Sequence, residues 1–370
     1  MFARPPAALA LALVPWLVSA CGSDPGVTEP DDAASLDGGA DTNTGPADSD
    51  DGPTVPTDAA PTAPYSIVVL PDTQYYSMSW PDIFDKQTGW IVDNRDTLGI
   101  SFVLHVGDIV DQDVPLQWMN ANRSISKLDG HVPYVLTAGN HDYTNLLDRM
   151  GMAASYFPVS RLAQSPTFGG TFEAGHVENS YSLLRAGGGR WLVLALEFGP
   201  RDEVLTWADG ILKKHADVPA MIVTHAYLYA GNVRYDHNGP HQSYTPHDYF
   251  PGAGQMGSSI NDGEEIWQKL IKPNRNVQFV FSGHVVGDGQ NLGYAAARLT
   301  STRDDGSRVH QLLANYQSCL SGPCADVRGG NGYLRILRFS PAEHVVHVQT
   351  YSPDLNQSLT DDANQFDLDL

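Results

Sequence analysis

The order of apolar and polar segments predicts an α/β fold built on parallel strands. Three observations carry that expectation. Between residues 65 and 281, apolar runs of strand length alternate with segments of helical periodicity. Their strand–helix–strand spacing is that of crossover units, which join parallel strands. Several of the runs end in a small cluster of Asp, Asn, Gln or His, as expected where strand ends form one ligand-binding edge.

In chain order, the first twenty of the 370 residues read as an export signal. Arg4 supplies the positive start, and Ala7 to Val18 form a short apolar run. The run ends Val18-Ser19-Ala20-Cys21, which resembles a bacterial lipobox and implies cleavage before Cys21 and acylation of its thiol. An ordinary signal peptide is the alternative. Residues 21–64 then read as a lipidated cysteine followed by an acidic tether. Residues 22–64 hold ten acids and no Lys or Arg, with Leu36 and two valines as the larger apolar residues. Such a segment cannot bury enough surface to offset its chain entropy. The expected location is therefore the bacterial cell envelope, as an exported, membrane-anchored lipoprotein, or else the periplasm or exterior.

The folded domain is expected over 65–370. Strands are predicted at Ser66 to Leu70, Phe102 to Val106, Tyr134 to Thr137, Ser180 to Leu184, Trp191 to Phe198, Met221 to Thr224 and Val277 to Phe281. Helices are predicted near Asp85 to Leu98, Leu116 to Leu128, Asp202 to His215 and Asp262 to Ile271. Gln311 to Tyr316, Tyr333 to Phe339 and His344 to Thr350 read as antiparallel strands. The segment Tyr227 to Ser259, rich in Gly, His and Tyr, is long enough to suggest a functional loop.

Composition narrows the partners. The chain has 43 acids and 22 bases, a net charge of −21. That balance argues against non-specific binding to nucleic acid or to an anionic lipid surface. The membrane is expected as a partner only through the lipid anchor. Three cysteines are too few for a disulfide scaffold. Cys319 and Cys324 are expected to form one local disulfide.

Four strands end in polar clusters: Leu70-Pro71-Asp72-Thr73-Gln74, Val106-Gly107-Asp108-Ile109-Val110-Asp111, Ala138-Gly139-Asn140-His141-Asp142 and Ser282-Gly283-His284-Val285. A fifth run delivers His225. Carboxylates, an amide and imidazoles together suit divalent metals of borderline hardness. Two such ions could clamp the entering and leaving oxygens of a phosphoryl transfer.

These motifs, in this order, resemble those of the calcineurin-like metallophosphoesterase superfamily. The resemblance covers residues 65 to about 350 and implies a four-layer α/β/β/α sandwich with two divalent ions (Mn, Fe, Zn or Mg). It implies hydrolysis of a phosphomonoester or phosphodiester by a metal-bound hydroxide. Asp72 matches a ligand of one ion, and Asp108 matches the carboxylate that bridges both. Asn140, His225 and His284 match the remaining ligands of the second ion. His141 matches the residue facing the leaving group, and Asp111 the carboxylate that orients it.

The sequence departs from the family pattern at two ligands of the Asp72 ion. Gln74 stands where a histidine is usual, and can offer only its carbonyl oxygen. Val286 stands where the last motif has its second histidine, and cannot coordinate. Asp288, Gln290 or Asn291 could substitute. That site is expected to be oxygen-rich and to suit Mn²⁺, Mg²⁺ or Fe better than Zn²⁺. Gln112 and Asp142 differ from the protein-serine/threonine phosphatases, which have Arg and Glu there, so a phosphoprotein substrate is not expected. The rival reading is a degenerate member of the superfamily that serves as a cell-surface binding module.

The remaining histidines are weighed individually. His105, inside a strand, is expected in the core or behind the ligands. His237, His241 and His247 are read equally as solvated loop residues or as a substrate rim. His344 and His347 are read as structural, and Arg234 as a surface arginine.

Overall fold

Tyr65–Leu70, apolar apart from Ser66, forms β1, buried along its whole length as a central strand covered on both faces must be. It opens a computed structural model that describes residues 63–240, 242–250, 259–286, 295–317 and 328–370. The leader, Cys21, the tether, His241, Asp288, Gln290, Asn291, Cys319 and Cys324 lie outside the described residues.

After β1 come α1 (Gln74–Ser79), α2 (Pro81–Asp93) and α3 (Arg95–Leu98), then β2 (Ile100–His105). Next are α4 (Pro115–Ile125) and β3 (Tyr134–Leu136). Pro81 and Pro115 begin their helices, where a missing N–H leaves no helical bond unmade. The short elements α5 (Ala153–Tyr156), α6 (Val159–Leu162) and β4 (Phe168–Thr171) precede the hairpin of β5 (Ser180–Ala186) and β6 (Gly189–Leu196). α7 (Asp202–Lys214) crosses over to β7 (Ala220–Thr224). The long segment holds β8 (Leu228–Tyr229), β9 (Val233–Arg234) and α8 (Pro246–Tyr249). α9 (Gly263–Ile266) widens into a π-type turn over Trp267–Ile271 and leads to β10 (Val277–Ser282). β11 (Ala295–Thr302), β12 (Arg308–Asn315), β13 (Leu334–Ser340), β14 (Val345–Ser352), β15 (Gln357–Leu359) and β16 (Phe366–Asp369) follow.

The strands form two large sheets. One has the order β15-β14-β13-β1-β2-β3, with β16 also on β14; the other runs β11-β12-β10-β7-β6-β5-β4. β1, β2 and β3 are parallel, and β13 runs antiparallel against β1, pairing Phe339 with Tyr65. In the second sheet β6, β7, β10 and β12 are parallel.

Side-chain alternation sorts these elements into layers. Ile67 and Val69 of β1 pack with Met221, Val223 and Phe281 of the other sheet. Their neighbours Val68 and Leu70 pack with Phe84, Trp118 and Ile125 of α2 and α4. Leu192, Leu194 and Ile222 cover Val204, Ala208 and Leu270 on the far side. Three apolar seams thus separate helices, sheet, sheet and helices, a four-layer α/β/β/α sandwich. Each fully buried Leu, Ile or Phe in them contributes about 1.5–3 kcal/mol.

The sequence reading needs one correction that bears on the site. β12 is antiparallel only to β11, its hairpin partner, and is parallel to β10. The β11–β12 reversal turns the chain back into the direction of β10. The carboxyl end of β12 therefore points to the same edge as those of β1, β2, β3, β7 and β10. Strands β4, β11, β15 and β16 lie outside the strand segments predicted from the sequence.

Candidate metal centre

Each parallel strand delivers polar residues just past its last ladder bond. β1 is followed by Asp72, β2 by Asp108, β3 by Asn140 and His141, β7 by His225 and β10 by His284. Asp108 (φ 49°) and His284 (φ 70°) are left-handed, a cost for non-glycine residues that clusters at functional sites. Two glycines admit the carboxylates. A Cβ on Gly139 would lie 2.1 Å from Asp108 Oδ1, and one on Gly283 would lie 2.2 Å from Asp72 Oδ1.

The structure brings Asp72, Asp108, His225 and His284 together, all buried. His225 Nε2 is 3.1 Å from Asp108 Oδ2 and 3.1 Å from His284 Nδ1. The outer nitrogens are fixed by main-chain carbonyls: His225 Nδ1–H donates to Val106 O (2.9 Å) and His284 Nε2–H donates to Tyr244 O (2.8 Å). Since a carbonyl only accepts, the outer nitrogens carry the protons. With both imidazoles neutral, the facing nitrogens therefore present lone pairs to each other and to a carboxylate. That arrangement calls for a cation among them.

The carboxylates are held in place. Asp72 Oδ2 accepts from Asn315 Nδ2 (2.6 Å) and the His284 amide (3.1 Å), and Asp108 Oδ1 from the His141 amide (2.9 Å). Burial pushes the Asp72 carboxyl well above its usual range, and neighbouring Asp108 adds to this. Burial acts the same way on Asp108, but the charge and hydrogen bond of His225 hold it low. His225 is drawn up to about 9 by Asp108 and Asp72 against the opposing effect of burial. Burial and the charge of His225 push His284 down to about 3.

Three buried amide oxygens, Gln74 Oε1, Asn140 Oδ1 and Gln317 Oε1, have no hydrogen-bond partner among the described residues. All three residues line one cleft of about 500 Å³ together with Asp108, His141 and His284. The Gln317 side chain neighbours the Tyr75 hydroxyl, and it is only 3% exposed. Buried orphan acceptors beside carboxylates and imidazole lone pairs are a donor set that fits divalent metal.

Other residues fall differently from the sequence reading. His141 Nδ1 is held at 2.8 Å by the main-chain carbonyl of Asp111, not by its carboxylate. The Asp111 carboxylate still interacts with the His141 charge, and its own pKa is raised, chiefly by burial. The reason is the turn after β2, whose Asp111 amide is taken by Gln117 Oε1 (2.8 Å), which aims the next carbonyl at the imidazole. Asp142 staples the second and third motifs, accepting from the Ile109, Val110 and Gly139 amides at 2.8–3.0 Å. Val286 is 47% exposed at the cleft mouth. His105 lies behind the centre, bonded to Thr73 Oγ1.

Arg234 is not a surface arginine. It stacks on Trp267 and bonds Glu264, Ser301 and Gln311. His347 pairs with Asp367 on the surface.

Asn315, Gln317 and the Tyr244 carbonyl are the residues sequence reasoning missed. The Asn315-Tyr316-Gln317 cluster ends an apolar strand, like the other motifs. Reading that strand as antiparallel hid the signal. A main-chain carbonyl carries no residue signature at all.

A family model for calcineurin-like phosphoesterase matches residues 65–288. Protein YvnB of Bacillus subtilis (strain 168) is 37% identical over 315 residues, which are 82% of this chain. The chain spans only 21% of that relative's length. Among solved structures, a purple acid phosphatase from yellow lupin (Lupinus luteus) aligns at 12% identity and TM-score 0.47, over 83% of this chain and 54% of its own. The NAD nucleotidase of Haemophilus influenzae aligns at 11% identity and TM-score 0.38, over 79% and 48%.

Proposed function

Because the chain belongs to the calcineurin-like phosphoesterase family, whose members bind divalent metals and act on phosphate esters, we propose that it hydrolyses a phosphomonoester or phosphodiester at a dinuclear centre. The observation that carries this reading is the pair of imidazole nitrogens, His225 Nε2 and His284 Nδ1, facing each other at 3.1 Å beside the Asp108 carboxylate. Asp108, Asn140, His225 and His284 would hold one ion. Asp72, Asp108, Gln74 and Gln317 would hold the other, with glutamine oxygens where imidazoles are usual. This second site is oxygen-rich and suits Mn²⁺, Mg²⁺ or Fe. When bound, the ions supply Lewis-acid polarisation of the ester and an activated water.

The chain's own residues do the rest. His141 lines the cleft with Nδ1 held by the Asp111 carbonyl, which leaves Nε2 to give a proton to the departing alkoxide. The Asp111 carboxylate interacts with the His141 imidazole charge through space. Tyr75, Tyr229, Tyr235, Tyr244 and Tyr249 wall the cleft and offer phenol faces and hydroxyls to the alcohol part of the ester. A binding module without turnover would have no use for a positioned proton donor. We also propose that the domain is exported and held by acylated Cys21 and the acidic tether.

The test is His141→Ala, assayed against phosphate esters of graded leaving-group pKa, with metal content on the same samples. Turnover should fall by roughly 10²–10⁴, as for other general acids. The loss should be steepest for alkyl esters and smallest for nitrophenyl esters, with metal content retained. An equal loss for every leaving group would show that His141 is not the acid.

A further inference from the structure

The long segment between β7 and α9 carries a second cluster of ligand-type side chains. His237 Nδ1 lies 2.7 Å from Asp262 Oδ2, and His247 Nε2 lies 2.8 Å from Glu265 Oε2. The crossed pairs are almost as close: His237 Nδ1 to Glu265 Oε2 is 3.9 Å and His247 Nε2 to Asp262 Oδ2 is 4.0 Å. Two nitrogens and two oxygens thus surround one point. We propose that these four residues bind a divalent ion, Zn²⁺ by the chemistry of the set, at a site distinct from the strand-end centre.

The geometry needs little change to accept the ion. Tetrahedral ligand atoms at zinc bond lengths lie about 3.3–3.6 Å apart. The two short N–O edges lie below that value and the two long ones above it, each by about half an ångström, and all four ligand atoms lie within 4.8 Å of one another. Both imidazoles and Glu265 are partly exposed, so they can adjust and the ion can enter from solvent. Asp262 is fully buried and gives the site a fixed corner. Two neutral imidazoles and two carboxylates leave the loaded site without net charge.

The supporting bonds are already made. Asp262 Oδ2 accepts the His237 amide (2.8 Å) and Glu265 Oε2 accepts the Asp262 amide (3.0 Å), while Asp262 Oδ1 caps α9 through the Glu265 amide (3.1 Å). These bonds orient the carboxylates as partners behind metal ligands do. His237 Nε2 meets the Asn238 amide at 2.9 Å, and with Nδ1 on the ion that amide would present its oxygen to Nε2–H. The rings of His237 and His247 lie against each other at 33° with centroids 3.7 Å apart. Neutral imidazoles donating His237 Nδ1–H and His247 Nε2–H would satisfy the same carboxylates. The ion would replace those two hydrogen bonds, with each ring's proton moved to its other nitrogen.

The ion would tie α8 to the start of α9. Tyr244, just before α8, supplies the carbonyl that holds His284 Nε2. Tyr249, at the end of α8, packs its ring 5.6 Å from that of His284. The clamp would therefore steady one wall of the cleft. This proposal does not rest on the phosphoesterase reading.

The full chain, stripped with chelator and titrated with Zn²⁺, should hold one more equivalent than His247→Ala. The affinity of that extra equivalent should drop by more than the roughly 10–100-fold that loss of a mere supporting partner costs. With Co²⁺ in place of Zn²⁺, the visible bands of a tetrahedral site should persist in His284→Ala and vanish in His247→Ala. Glu265→Gln keeps an acceptor for the Asp262 amide but lacks the charge, so it decides the matter if His247→Ala fails to fold. Zinc stoichiometry and affinity equal to the parent in the folded variants would reduce the cluster to hydrogen-bonded pairs and overturn the proposal.

Discussion

Gly283→Ala would test how the Asp72 carboxylate is packed. The new Cβ would lie 2.2 Å from Asp72 Oδ1 and 2.7 Å from Val106 Cγ2. The backbone at Gly283 is not left-handed, so alanine itself is unstrained there. Ordinary contact begins near 3.4 Å, so the carboxylate must retreat by about an ångström. That retreat pulls Oδ2 away from Asn315 Nδ2 and from the His284 amide, now at 2.6 and 3.1 Å. Overpacking of this kind costs about 1–3 kcal/mol. A misplacement of about 1 Å at a reacting centre costs on the order of 10²-fold in rate. Thermal unfolding, metal analysis and phosphoester turnover on one preparation should show a lower Tm, loss of the ion proposed at Asp72 and the drop in rate. In an Asp72→Ala background the same substitution should cost less stability, with a remainder from Val106. A variant that melts and binds metal like the parent would refute the packing argument.

Three further outcomes follow from other parts of the molecule. If the proposed ligand assignment holds, Gln317→Ala should weaken one ion selectively, seen as easier removal by chelator, while leaving the ion proposed for His225 and His284 in place. Glu197, buried at the end of β6, is held by Arg201 Nε (2.8 Å) and Asn179 Nδ2 (2.9 Å); burial alone would raise its pKa, but Arg149 and Arg201 bring it below the usual range. A lowered carboxyl contributes stability that is complete above the unfolded value near 4.3 and is lost as pH falls through the folded one. Glu197→Gln should thus cost stability at pH 7, toward the lower end of the roughly 3–5 kcal/mol for breaking a buried pair, and the gap should close below about pH 4 in denaturant titrations. Cys21→Ser should move the protein from the membrane fraction to the soluble one; unchanged fractionation would rule out the acyl anchor.

Much of the centre was legible because its logic is local. An apolar strand followed at once by Asp, Asn or His states both the element and its chemistry, and Asp72, Asp108, Asn140, His225 and His284 could be read that way. What escaped depended on direction or on distance along the chain. Asn315 and Gln317 obey the same strand-end rule, but β12 had to be parallel to β10 for the rule to apply, and alternation says nothing of direction. The bond from Asp111 to His141 is made by a main-chain oxygen, so the identity of residue 111 did not predict it. The pairing of His237 with Asp262 joins positions 25 apart across an irregular segment, where no periodicity links them.

The pairing of β1 with β13 has a consequence for synthesis. β1 leaves the ribosome ahead of every other strand described, but the neighbour that covers one of its edges is made only after β12, with Phe339 set against Tyr65. Until then β1 and β2 present an unpaired apolar edge, the kind of surface on which chains associate with one another. Asn315, which holds Asp72, also belongs to that late portion. Neither the first sheet nor the candidate metal centre can close before most of the chain has emerged. A fragment ending at residue 288 would keep most of the motifs and yet lack both that edge strand and the amide that holds the first aspartate.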